Sequence, residues 1–207
     1  MLIQGAVGPQ ATKAGQGSNV DMRQGETGEL VMSEFNGRYY EMAKQGNLFL
    51  AHAIVTAPVI YTTAAGTGGP LLWNGSSNRT ASILAIGIGV TVVTTVAAAL
   101  GLTGNTGQSS APTSTTAIDS RANCYIGGAA SACTPYRVGT VANAGAFFLP
   151  FADLHTGALT VDNLGVAWID IGGAIIVPPG AWCSVAASAT ASTTVASISM
   201  LYSENSY

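Results

Sequence analysis

His52 and His155 are the only imidazoles in a chain of 207 residues. Asp153-Leu154-His155 is the one place where a carboxylate stands two residues from one of them. On an extended strand such a pair shares a face, so it could begin a metal site. A zinc centre needs three or four protein ligands, and no further ligand is visible beside this pair, so no metal is expected. Cys124, Cys133 and Cys183 lack the C-x-x-C spacing of a zinc site, and an odd count leaves one thiol over. Cys124 and Cys133 flank the small-residue stretch Gly127–Ala132, which a disulfide could span. A reducing cytoplasm favours plain buried thiols instead.

Other chemistries fare no better. A Ser-His-Asp hydrolase would need a positioned serine, and Gly-x-Ser-x-Gly is absent. Paired carboxylates for glycoside cleavage would have to come from Asp119, Asp153, Asp162 and Asp170, which read as solvated loop and strand-end residues. Gly66-Thr67-Gly68-Gly69-Pro70 lacks the Lys-Ser/Thr ending of a phosphate loop. Asn74-Gly75-Ser76 and Asn78-Arg79-Thr80 match the glycosylation triplet and read as turns. Trp73, Trp168 and Trp182 could make a sugar platform, but their apolar surroundings favour core packing. No catalytic residue and no cofactor is expected.

The charge pattern is more telling. Charged residues make up 8% of the chain and mean hydropathy is +0.37, whereas a dispersed soluble domain carries about a quarter. Residues 47–207 hold only eight charged side chains: Arg79, Asp119, Arg121, Arg137, Asp153, Asp162, Asp170 and Glu204. A surface so poor in charge suits contact with neighbouring protein, so a subunit of an assembly is the primary reading. Net charge is −3 with a pI near 5.1, so no basic field draws the chain to nucleic acid or an anionic membrane. The opening Met1-Leu2-Ile3-Gln4-Gly5 lacks a basic region followed by an apolar one. Assembly in a host cytoplasm is therefore expected.

The elements that would carry these residues are strands. Ala81–Leu102 is uncharged and long enough to span a bilayer. However, Ile86, Ile88, Val90 and Val92 alternate with Gly87, Gly89 and Thr91, the period of a strand. Two consecutive strands are expected here and no membrane span. From Leu48 onward short β-runs alternate with Gly, Pro, Asn and Ser. Gly172-Gly173 reads as a hairpin turn, Gly104–Thr116 as a loop, and Pro178-Pro179-Gly180 as a corner between strands. The fold class is all-β: an antiparallel, jelly-roll-like sandwich over 47–207, preceded by an extended N-terminal arm over 1–46. Within the arm, Asn36-Gly37 could make a hairpin, while Glu34, Arg38 and Glu41 are spaced for a short helix. Phe35, Arg38, Tyr39 and Tyr40 are the candidate interface anchors, because aromatics and arginine dominate interface energetics.

Ile175–Trp182, Ser184–Thr190 and Val195–Glu204 give an apolar strand, a Pro-Gly corner, a small-residue strand and a final strand ending in an acid. With Gly28-Glu29-Leu30-Val31 and Gly37–Glu41 upstream, this resembles bacteriophage virion proteins of the jelly-roll or tumour-necrosis-factor-like class, capsid decoration (cement) proteins above all. The resemblance implies a non-enzymatic subunit on the capsid surface, a homotrimer whose partner is the major capsid protein and whose arm clamps adjacent capsomers. A receptor- or glycan-binding head, a major capsid subunit and a head–tail connector are the alternatives. The glycan-binding reading expects exposed aromatics in the loops 64–80 or 104–120.

Overall fold

The computed structural model describes residues 5–6, 22–23, 39–56, 67–92, 98–107, 110–154, 166–188 and 195–206. The chain divides into two units, Met1–Glu41 and Met42–Tyr207. In the first, β1 (Gly5–Ala6) pairs in parallel with β2 (Met22–Arg23). Helix α1 (Tyr40–Lys44) leads into the second and is closed by Gly46 at φ 74°.

The second unit is built from β3 (Leu48–Thr56), β4 (Thr67–Trp73), β5 (Arg79–Val92), β6 (Ala98–Asn105), β7 (Thr113–Ala117), β8 (Ser120–Asn123), β9 (Thr134–Thr140), β10 (Ala146–Leu154), β11 (Val166–Val177), β12 (Trp182–Ala187) and β13 (Val195–Ser206). They make a five-stranded sheet, β11-β5-β13-β3-β8, and a six-stranded sheet, β10-β6-β12-β4-β9-β7. The pairing is nested: β3 with β13, β4 with β12, β5 with β11 and β6 with β10, all antiparallel. Nested pairing of this kind is the jelly roll, an all-β sandwich as the sequence led us to expect. Strands β7, β8 and β9 lie between β6 and β10 in the chain and widen both sheets along one side.

Alternation along the strands sets what is buried. On β13, Ala196, Ile198, Met200 and Tyr202 face the core, with Ile198 opposite Ile88 and Met200 opposite Ile86 of β5. Leu72, Leu100, Leu102, Cys183, Val185 and Ala187 meet them from the other sheet. Burying each large aliphatic side chain contributes roughly 1.5–3 kcal/mol. The uncharged stretch 81–102 thus lies in β5, β6 and the link between them, and no described helix is long and apolar enough to cross a membrane.

Two local readings are corrected. Gly172-Gly173 is not a hairpin turn. β11 continues through it, with Asp170 opposite Ala85 and Ile175 opposite Ile83, leaving Ile171–Ala174 as a bulge. Both glycines have positive φ, 65° and 81°, a conformation that side chains oppose, and Gly173 rests on Leu84. The second correction lies in 104–116, where β6 runs to Asn105 and β7 begins at Thr113. Asn74 lies in the β4–β5 turn, as its triplet suggested, and is buried there. Its amide donates to the Arg79 and Val177 carbonyls at 2.8 and 2.9 Å, and its Oδ1 accepts from the Ser76 amide. Asn74 thereby ties the β4–β5 turn to the end of β11, beside the Pro178-Pro179-Gly180 corner.

Candidate functional site

Among the described residues, charge enters the core at one point. Glu204, near the end of β13, is fully buried. Its carboxylate accepts from the Cys133 amide at 2.9 Å, the Ala132 amide at 3.0 Å and the Ser131 hydroxyl. Arg79 approaches the same carboxylate at 3.4 Å with its side chain 40% exposed. Tyr202 completes the group by donating to Ser131 Oγ at 2.8 Å. Successive backbone amides cradling an anion are a recurring anion site, and here the anion is the protein's own. These donors tie the end of β13 to residues 131–133, so the arrangement works as a clasp.

The clasp fixes the loop 124–133. Asn123, at the end of β8, secures its other side: Nδ2 donates to the Gly46 and Ala129 carbonyls, each at 2.9 Å, and Oδ1 accepts from the Tyr125 amide at 2.8 Å. The Cys124 amide bonds the Leu48 carbonyl at 2.9 Å. Phe49 stacks on Tyr202 beneath, with ring centroids 5.6 Å apart. At the tip of this tied loop, Tyr125 and Ile126 stand 54% and 96% exposed.

The outer faces of the two sheets differ. On the six-stranded sheet, Leu71, Val141 and Trp182 form a second buried cluster with Trp73 and Tyr136 packed against it. Phe147 lies over Gly101, and Gly145 lies over Thr103 and Trp182. Trp73 Nε1, Trp182 Nε1 and Thr103 Oγ1 are buried there without a hydrogen-bond partner among the described residues. On the five-stranded sheet one rung crosses every strand: Trp168, Gly87, Ser199, His52 and Ser120. A Cβ at Gly87 would come within 2.9 Å of the Trp168 ring, so glycine there lets the indole lie along the sheet. Trp168, Ile54 and Ile176 are 55%, 51% and 59% exposed. Among the described strand residues Asp170 is the one formal charge on this face, and at its edge Asp119 Oδ2 accepts from the Ile54 amide.

The residues singled out in the sequence scatter. Phe35 and Arg38 lie outside the described residues; Tyr39 is half-buried and Tyr40, the first residue of α1, is 42% exposed. His155 and Asp162 also lie outside the described residues. His52 sits on the outer rung with Nδ1 3.1 Å from Ser199 Oγ, and Asp119 pairs with Arg137 at 3.4 Å. Among the described residues, no three His, Cys, Asp or Glu side chains gather as a metal site would require. All three thiols are free; Cys133 and Cys183 are buried and Cys124 is exposed. Burial raises the Cys183 thiol to about 12. Burial, reinforced by neighbouring Glu204, raises that of Cys133, and burial raises the Tyr202 phenol. Trp168 is the exposed member of the tryptophan set, against the expectation of core packing. Ser131 and Asn123 had no sequence signal for their long-range ties, to Glu204 and to the Gly46 carbonyl, which are 73 and 77 positions distant.

No protein-family model matches the chain, and neither a curated protein nor a solved structure matches it.

Proposed function

We propose that this protein is a non-enzymatic virion structural subunit, a decoration protein that associates with itself as a homotrimer and with a major capsid protein. The observation that carries the reading is the bare outer face of the five-stranded sheet. It is smooth at Gly87 and Gly89, studded with exposed Trp168, Ile54 and Ile176, and almost without charge. Exposed large apolar side chains on a face with so little charge suit contact with neighbouring protein, and a jelly roll is an architecture that viral shells share with lectins and cupins. Fold alone does not assign function; the poverty of charge is what favours an assembly.

In this reading Trp168 is the central anchor of the subunit contact, and arm residues Phe35, Arg38, Tyr39 and Tyr40 reach a neighbouring capsomer. The test is co-sedimentation with capsids of the full chain and of a chain lacking residues 1–28. The expected result is loss of binding on truncation, and unchanged affinity contradicts the clamp. A second reading, a glycan-binding head, draws on Trp168 lying flat with Asp170 one rung away. Among the described residues of 64–80 and 104–120, no large apolar side chain is exposed, so that reading turns on this face. Saturable quenching of Trp168 fluorescence by sugars favours it.

A further inference from the structure

Cys124, Leu48, Ser203, Ser82 and Ile176 make one rung across the five-stranded sheet. At one end of the rung Cys124 opens the loop 124–133 beyond edge strand β8, and at the other Ile176 lies on the opposite edge strand, β11. Each end carries an apolar feature. At the loop, Ile126 is 96% exposed, more than any other large apolar side chain among the described residues. Exposed loop tips are commonly loose, with small polar residues. This one is held by Asn123, by the Cys124–Leu48 backbone bond and by the Glu204 clasp. Ordering the loop in advance lowers the entropy lost on binding.

At the β11 end lies a cleft of about 190 Å³, lined by Phe148 of β10, Ile175 and Ile176 of β11, and Pro178, Ala181 and Trp182. Among the described residues no charged side chain lines it, and Phe148 and Ile176 remain exposed there. The cleft has room for one aliphatic side chain, which gains by leaving water. A charged group would give up its hydration there with no partner to replace it. Knob and cleft cannot meet within one chain, because four strand spacings, about 19 Å of sheet, separate them. They can meet between copies. A contact between two different patches of the same chain closes into a ring when the rotation relating the copies closes. The shared rung sets knob and cleft level, so successive copies need no displacement along the strands.

We propose that Ile126 of one copy seats in the β10–β11 cleft of the next, a head-to-tail contact repeated around the assembly. The proposal rests on the reading that the chain associates with itself, and it adds which two surfaces meet. Trp168 stands on the same edge strand as the cleft, so indole and cleft receive one neighbour. Tyr125, exposed beside Ile126, is of the residue type that anchors interfaces.

The experiment is light scattering of Ile126→Asp beside the wild type and Trp168→Glu, followed by disulfide trapping. We expect three chains for the wild type. Ile126→Asp should raise the concentration at which they dissociate about tenfold or more, with an unchanged circular dichroism spectrum, since the side chain is exposed in the single chain. Trapping uses a Cys124→Ser, Cys183→Ala background of wild-type mass, which removes the exposed thiol and the thiol lining the cleft. Ile126→Cys chains mixed with Ile176→Cys chains should oxidise to a covalent pair, and neither should do so alone. A wild type of one chain overturns both the self-association reading and this contact. A wild type that assembles, dissociates on Trp168→Glu and is indifferent to Ile126→Asp leaves that reading standing and overturns the contact. A covalent homodimer of the Ile126→Cys variant, or no mixed pair, overturns it as well.

Discussion

The two outer faces of this sandwich are made of similar strands and treated oppositely. The six-stranded sheet is roofed by its own chain, with Val141, Gly145 and Phe147 lying over Trp182, Thr103 and Gly101. The five-stranded sheet carries a tryptophan on its outward face, on edge strand β11, and leaves it 55% exposed. A single chain that covers one apolar face and shows another has used its own residues where folding needs them. The shown face is the one we assign to a neighbour.

The largest effect that would break this contrast is on tryptophan truncation. Trp182→Ala should cost about 3–5 kcal/mol of stability, as for large aromatic deletions in a packed cluster, while Trp168→Ala should stay within about 0.5 kcal/mol for the isolated subunit. Equal losses in urea unfolding would mean that the two faces are not different in kind. Next comes Glu204→Ala, which strands the Ala132 and Cys133 amides and should cost about 3 kcal/mol. Hydrogen exchange should show that loss confined to 124–133 and the end of β13, with the Trp182 cluster still protected; uniform deprotection would show the clasp to be part of the general core.

Alkaline pH sharpens the contrast from within. The Cys183 thiol is raised from 9.0 to about 12 when folded, so between these values the unfolded chain has lost a proton that the native chain keeps. Its contribution is fully present below pH 9.0 and falls by about 1.4 kcal/mol per pH unit above it. Cys133 and Tyr202, also raised, add to the fall. Urea melts across this range check it, and Cys183→Ala should flatten the slope. A stability that is level to pH 11 would contradict the burial of these groups. The smallest expected effect is at Trp182→Phe. The indole Nε1 it removes has no partner among the described residues, so much of the packing loss is offset and the change should be about 1 kcal/mol or less.

These contrasts also explain what could be read from the chain. Ile86-Gly87-Ile88-Gly89 gave the strand and its buried side, because alternation is a local property. Gly172-Gly173 misled, since two glycines serve a bulge as well as a hairpin, and only the pairing of both flanks with β5 decides. Nothing in the pattern around Trp168 and Trp182 says which would be roofed; that depends on a loop more than twenty residues away from either. Glu204 was legible as an acid closing the last strand, but its partners at 131–133 are 71 to 73 positions distant. Asn74 sat in a triplet that read as a turn, and the turn is there; that its amide is buried against Val177, 103 positions away, had no local sign.

The central claim is that the bare face carrying Trp168 is where subunits meet. Light scattering of the eluting peak for the wild-type chain and for Trp168→Glu tests it most directly. The account predicts a mass of three chains for the wild type and of one for the variant, with both equally folded by circular dichroism. A wild-type chain that elutes as a single 20.8 kDa subunit, or a variant that associates as well as the wild type, would contradict it.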